Sequence, residues 1–185
     1  AAKKANVRRI IYNTCCWGPP EELGEVGQAG YDSVRLMVNM LMQGGVQTTT
    51  FQPVLFMDNL LTDWARKDIL EKDLYTYPHN PNLEASWICL DDVAKFMIAA
   101  IDRDDLVGRC INIGGPEVFV PPRVADLLSG HFGRPIKYEE LGLEDFSNRL
   151  YDIFYKDTSE EDRGGRSADR EAFIDSMSDF YRFNN

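Results

Sequence analysis

Short apolar runs, each closed by glycine, proline or an acidic cluster, alternate along the chain with longer stretches of helical spacing. Arg8-Arg-Ile-Ile-Tyr-Asn-Thr-Cys15 is a compact β-rich run and predicts a strand, and Ala1 to Val7 before it reads as the last turns of a helix. Trp17-Gly-Pro-Pro20 breaks regular structure, and a loop rich in Gly and Glu runs on to Gly30. Tyr31 to Met42, apolar on most sides through Val34, Leu36, Met37, Val38, Met40 and Leu41, predicts a buried helix stopped at Gly44-Gly45. Thr48 to Phe56 is β-branched and aromatic, a second strand with Pro53 near its end. Asp58 to Lys72 is helical, Leu74 to Tyr77 a short strand, and Pro78 to Asn82 a turn. Trp87 to Leu90 predicts a strand, after which Asp91 caps an amphipathic helix, Asp92 to Ile101, with Val93, Phe96, Met97 and Ala100 on one face. Arg109 to Ile113 is a strand closed by Gly114-Gly115-Pro116. Pro122 to Phe132 is a helix with Gly133 after its end, and Ile136 to Glu140 is the last strand. Asp157 to Arg170 is almost wholly polar and reads as a mobile loop. Ala172 to Phe183 then places Phe173, Ile174, Met177, Phe180 and Tyr181 at helical spacing, as a closing helix that packs back.

Strands alternating with helices predict an α/β fold of parallel β-α units, without an internal repeat. The expected division is a main body over 1–150 and a polar loop with a closing helix over 151–185. Composition changes this picture little: 44% hydrophobic and 27% charged residues are ordinary for a globular chain. Charge changes it more. A net charge of −10, with a pI near 4.7, excludes a nucleic-acid backbone as partner, because that role needs a basic face. No secretory start and no long apolar run occur, so the expectation is a cytoplasmic protein without a membrane segment. Cys15, Cys16, Cys89 and Cys110 include no C-x-x-C pair, and adjacent cysteines are poor zinc spacing. Reduced core thiols and no metal are expected.

Four segments in register carry a resemblance. Gly45-Val-Gln-Thr-Thr-Thr-Phe-Gln-Pro-Val-Leu-Phe-Met-Asp-Asn-Leu-Leu61 resembles the G-x-x-x-T-x-x-R-P-x-x-F-x-[ED]-N-L stretch of NmrA-like proteins, which are atypical short-chain dehydrogenases. Trp87-Ile-Cys-Leu-Asp-Asp-Val-Ala94, Val107-Gly-Arg-Cys-Ile-Asn-Ile-Gly-Gly-Pro-Glu117 and Gly133-Arg-Pro-Ile-Lys-Tyr-Glu139 are similar to the family segments that follow. Gln52 stands where the family carries arginine. The resemblance implies a three-layer Rossmann-like parallel sheet and NADP or NAD as cofactor. It aligns the chain with the C-terminal part of the family domain, after the β-α-β unit that holds the cofactor phosphates. Gly24-Glu-Val-Gly-Gln-Ala-Gly30 has the spacing of a glycine-rich phosphate loop. It follows Cys15 too late, however, and Glu25 would repel a diphosphate, so it reads as a flexible loop. Gly114-Gly115 likewise reads as a turn.

The same resemblance supplies a candidate site. Thr14, Tyr31 and Arg35 stand where short-chain dehydrogenases place their Ser/Thr, Tyr and Lys, so Tyr31 would exchange the carbonyl proton, Thr14 orient the substrate and Arg35 stabilise the phenolate. Arg cannot surrender a proton, and a gap-free match to the NmrA-like helix puts Val34 at the lysine and Gly30 where some members carry histidine. As plain structure, Tyr31 is a residue near a helix start and Arg35 a solvated charge. Asn13, Pro53, Val54 and Phe56 are the implied cofactor contacts, and Trp17, His79 and Trp87 the implied substrate pocket. A lone loop histidine such as His79 is otherwise solvated. Asp91 and Asp92 read as helix-capping acids, and His131 as a favourable charge at a helix end. The resulting expectation is an NAD(P)H-dependent reductase of a small carbonyl or quinone-like substrate. The alternatives are a dinucleotide-binding redox regulator without turnover, favoured by the absent lysine and by Gln52, and an interaction fragment whose sheet edge docks a second copy or another protein.

Overall fold

The computed structural model describes residues 1–18, 26–155 and 170–185. The elements are β1 (Arg9–Asn13), α1 (Ala29–Gln43), β2 (Gln47–Pro53), β3 (Leu55–Phe56), α2 (Asp63–Lys72), β4 (Leu74–Tyr77), β5 (Ala85–Ile88), α3 (Leu90–Ala99), β6 (Cys110–Ile113), β7 (Val118–Phe119), α4 (Pro121–Phe132), β8 (Lys137–Glu140), α5 (Leu143–Tyr155) and α6 (Arg170–Asn184). The expected polar loop from Asp157 lies outside the described residues up to 169. Two compact units result: Ala1–Asp58 with Ala85–Val118, and Asn59–Glu84 with Phe119–Asn185. Among the described residues no helix is long and apolar enough to cross a membrane.

In the first unit the main sheet has the order β1-β2-β6 and is wholly parallel, Arg9 facing Gln47 at one end and Pro53 facing Ile113 at the other. Central β2 is buried from Thr48 to Phe51, as a strand covered on both faces must be. Two of its hydroxyls turn to backbone carbonyls, Thr48 to Val46 at 3.0 Å and Thr49 to Leu106 at 2.8 Å. Phe51, Ile88, Val93, Ala100 and Ile113 form the core, with Ile11, Phe56 and Met97 packed against it. Of the predicted inner face of α3, Val93, Met97 and Ala100 pack on this core, whereas Phe96 is 44% exposed. The C-terminal carbonyls of α3 are taken by buried Arg9, which donates to Ile101 at 2.7 Å and Ala100 at 3.2 Å and also pairs with Asp104.

Several expectations are corrected here. Ala1 to Asn6 forms hydrogen-bonded turns rather than a helix end, with Asn6 at φ +54°. Helix α1 buries only Tyr31 and Val38, and Leu36 and Met40 are 62% and 65% exposed, because just one of its faces packs on β2. The cap of α3 is Cys89 rather than Asp91, and its side chain makes no capping bond. The Leu90 N–H is instead accepted by Asp58 at 2.8 Å, leaving Asp91 and Asp92 as first-turn acids. The strand expected at Trp87 to Leu90 lies two residues earlier.

Gly114 and Gly115 are required by crowding rather than by a left-handed turn. A Cβ on Gly115 would stand 1.9 Å from the Trp87 carbonyl oxygen, and one on Gly114 would stand 2.3 Å from Ser86 Oγ. Gly115→Ala is expected to destabilise the fold by about 1–3 kcal/mol, the cost of forcing an extra methyl into packed structure, read as a lower denaturant midpoint at unchanged slope.

In the second unit β4 and β8 pair in parallel, Leu74 facing Lys137 and Tyr77 facing Glu140. The helix expected over Asp58 to Lys72 divides. A 3₁₀ stretch, Met57–Leu61, comes first, and α2 starts afresh after Thr62. Helix α5 is not among the elements that periodicity predicts, although Phe146, Leu150 and Tyr151 form its buried stripe. Helix α6 packs along α5, where Ser147 and Ser178 meet at 3.1 Å, and Asn185 donates to the Pro78 carbonyl at 2.7 Å. Helix α4 ends on Gly133 at φ +65°, the predicted stop. The rings of Trp64, Tyr77, Phe146 and Tyr181 pack at centroid distances of 5.1–6.0 Å and make the core.

Candidate functional site

Open parallel sheets bind ligands beyond the carboxyl ends of their strands, where loops diverge and backbone groups are free to reach outward. In the first unit those ends are Asn13, Pro53 and Ile113. They are tied together, the Thr14 N–H donating to the Phe51 carbonyl at 3.0 Å and the Val54 N–H to that of Ile113 at 3.3 Å. Asn13 accepts the Cys15 N–H at 2.9 Å, with Cys15 in the left-handed region at φ +61°. Thr14 is buried, and its hydroxyl donates to backbone, Cys16 O at 2.5 Å or Phe51 O at 3.2 Å. Trp17 then turns back so that its ring meets Tyr31 edge to face, 6.2 Å between centroids. Strand β1 and helix α1 thus bring Asn13, Thr14, Trp17 and Tyr31 into one neighbourhood, with Pro53 and Val54 at the adjoining strand end.

Tyr31 and Arg35 lie one helical turn apart on α1. Tyr31 is 2% exposed. Arg35 is no solvated surface charge: its side chain is mostly covered and stands 3.8 Å from Asp32. Asp32 is the residue that sequence reasoning overlooks. One oxygen accepts the Val26 N–H at 3.2 Å and the other the Gly27 N–H at 3.1 Å, so a single carboxylate binds the incoming loop to α1 and neutralises Arg35. The i, i+3 spacing of Asp32 and Arg35 is its signal in sequence.

The same contacts decide the glycine motif. Gly24 and Glu25 lie outside the described residues. Of the N–H groups that a diphosphate would use there, those of Val26 and Gly27 are taken by Asp32, and Gln28 Oε1 caps α1 by accepting the Tyr31 N–H at 2.9 Å. The other described helix starts are equally unsuited to anions. Asp63, Asp91 with Asp92, Glu144 with Asp145, and Glu171 occupy first turns, and α4 opens on Pro121-Pro122, which lack N–H donors.

The remaining predicted residues divide between the units. Phe56 is part of the hydrophobic core shell, Trp87 is buried in β5, and Val54 is 38% exposed at the end of β2. The amide of Gln52 lies against Gly18, where a Cβ would approach its nitrogen to 2.6 Å. His79 belongs to the second unit and is not solvated. It is 6% exposed, with its ring 4.4 Å from that of Tyr77, and burial pushes its pKa down to about 4. His131 sits in the last turn of α4 as expected, and Asp92 pairs with Lys95 at 2.8 Å, which holds its carboxyl below the usual range. All four cysteines are free, but none is a core thiol: Cys15 and Cys110 are exposed, Cys16 and Cys89 half-buried. Among the described residues no group of three or more His, Cys, Asp or Glu could hold a metal ion.

This is a Rossmann-like α/β fold, similar to that of the solved NADPH-dependent quinone oxidoreductase and NmrA structures. No protein-family model matches the chain. In sequence it is 27% identical over 144 residues to an NAD(P)H azoreductase of Xenophilus azovorans, covering 78% of this chain and 48% of that protein. Among solved structures, an NADPH-dependent quinone oxidoreductase of Escherichia coli in complex with NADPH superposes with a TM-score of 0.66 at 18% identity, over 97% of this chain and 58% of the other. A mutant of NmrA superposes with a TM-score of 0.54 at 19% identity, over 76% of this chain and 45% of the other. The chain thus spans about half the length of the proteins it matches.

Proposed function

We propose that the chain belongs to an NmrA-like, NAD(P)H-dependent reductase of a small carbonyl or quinone-like substrate, and that it contributes the nicotinamide side of the site. The observation that carries this reading is the gathering of Asn13, Thr14, Trp17, Tyr31, Pro53 and Val54 at the carboxyl end of one parallel sheet, in a chain similar in sequence to an NAD(P)H azoreductase. The bound dinucleotide would supply a hydride to the substrate. Tyr31 would deliver the proton to the reduced oxygen, and Thr14, whose hydroxyl keeps acceptor lone pairs beyond the bonds it donates, would orient the substrate. Arg35 would stabilise the phenolate left on Tyr31 without donating a proton itself, weakened in that role by Asp32 at 3.8 Å. Asn13, Pro53, Val54 and Phe56 would border the nicotinamide, and Trp17 and Trp87 the substrate. The acid-lined helix starts leave the cofactor diphosphate to residues outside those described.

The test is a titration of the protein with NADPH and NADH, followed by nicotinamide fluorescence, and then turnover with a simple quinone. Saturable binding with turnover is expected where the residues that hold the diphosphate are present, and there Tyr31→Phe should keep the binding while lowering kcat by about 10²-fold. Binding without turnover would select the redox regulator, which Gln52 favours by replacing the family arginine at the end of β2. Absence of binding would overturn both.

A further inference from the structure

We propose that Cys15 and Cys16 form a two-thiol site for a trivalent organoarsenical. Both cysteines are free, and they follow β1 directly, on the turn where Cys15 adopts φ +61° and is exposed to solvent. Cys16 is half-buried.

The donor set selects the ligand. A structural metal needs about four ligands, and among the described residues no third His, Cys, Asp or Glu joins the pair. An organoarsenic centre needs only two thiols, because carbon fills its third valence. Geometry disfavours the simplest competitor, a disulfide between the two. Neighbouring Cα atoms are about 3.8 Å apart across a trans peptide, short of the roughly 4.4–6.8 Å that disulfides ordinarily span. Placing one large atom between the sulfurs enlarges the ring and removes that conflict. Proton chemistry agrees: burial first, and then the neighbouring Cys15, push the Cys16 thiol up to about 11, so it stays protonated at neutral pH. That protonation disfavours chelation of a divalent cation, which must displace both protons into solvent. With an arsenoxide the protons have an acceptor. Two S–H bonds break and two As–S bonds form, the oxide oxygen leaves with both protons as water, and arsenic remains trivalent, so no oxidant or reductant is required.

The segment that would be clamped also carries the Thr14 bond to the Cys16 carbonyl and the Trp17 contact with Tyr31. Binding itself is independent of the reductase reading, and so is its test.

The purified protein is treated with one equivalent of phenylarsine oxide, and its intact mass is measured. One phenylarsenic group per chain is expected, retained in excess monothiol and released by a small dithiol. Cys15→Ser and Cys16→Ser should each lower the apparent affinity by about a hundredfold, since either leaves a single As–S bond without its intramolecular partner. Cys89→Ser and Cys110→Ser should bind as the parent does. Release by monothiol from the parent, or full labelling of the Cys15→Ser/Cys16→Ser double variant, would overturn the proposal.

Discussion

Asp68→Ala is expected to destabilise the second unit by about 3 kcal/mol, within the range for removing one partner of a buried ion pair. Asp68 is 5% exposed and stands at the centre of a small polar network. Its carboxylate accepts from Arg149 at 2.6 Å and from the Thr76 hydroxyl at 2.9 Å, and Lys72 pairs with it at 2.8 Å. Arg149 also donates to the Trp64 carbonyl at 3.0 Å, so the network joins α2, β4 and α5. With the carboxylate gone, the guanidinium and the Thr76 hydroxyl keep their donors and lose their acceptor, and only the partly exposed Arg149 recovers water cheaply. Burial works to raise the Asp68 pKa, but the hydrogen bonds from Lys72, Arg149 and Thr76 and the charge of Arg149 outweigh it, and the carboxyl is held below its usual value. A depressed carboxylate stabilises the fold above its unfolded pKa, near 4, and that contribution is lost as pH falls through the folded value. The acid limb of an unfolding curve measured by tryptophan fluorescence should therefore flatten below about pH 4 in Asp68→Ala. An unchanged acid limb and an unchanged midpoint would show that the network is ornamental.

A second pH effect should appear earlier and come from His79. The histidine lies among the rings of Tyr77 and Tyr181, and its carbonyl accepts the Tyr138 hydroxyl. Burial moves its pKa from 6.5 to about 4. Between these values the unfolded chain binds a proton that the folded chain does not, so stability rises with pH across the window and is lost as pH falls. The full difference corresponds to about 3 kcal/mol, since each tenfold change in proton affinity is worth roughly 1.36 kcal/mol. His79→Phe fills the same aromatic niche without a titrating group and should remove the dependence between about pH 6.5 and 4, while leaving the Asp68 effect below it. A His79 resonance titrating near 6.5 by NMR would sink the prediction, because it would mean that the ring is hydrated.

How much of the fold is legible in the sequence follows the range of the interactions. Most of the inner face of α3 and the glycine stop of α4 depend on residues within a few positions and stand as the chain predicts them, although Phe96 of that face is exposed. The cap of α3 does not, because Asp58 reaches Leu90 from 32 positions away. Gly115 reads as a turn residue, and only the approach of the Trp87 carbonyl explains why it bears no side chain. His79 is solvated by the logic of its Pro- and Asn-rich turn, yet α6 and β8 bring Tyr181 and Tyr138 against it.

The candidate site divides in the same way. Tyr31 and Arg35 at four-residue spacing, with Thr14 just after a strand, are visible as a pattern of residue types, and the sequence alone determined that pattern together with the α/β class. Tertiary structure decided which N–H groups are already occupied. Asp32 and Gln28 occupy the Val26, Gly27 and Tyr31 N–H groups at the start of α1, while the strand ends at Asn13 and Pro53 come together through the parallel register. Periodicity is written locally because a helix or strand repeats every few residues, whereas caps, ion pairs and crowded glycines exist only once distant segments have met.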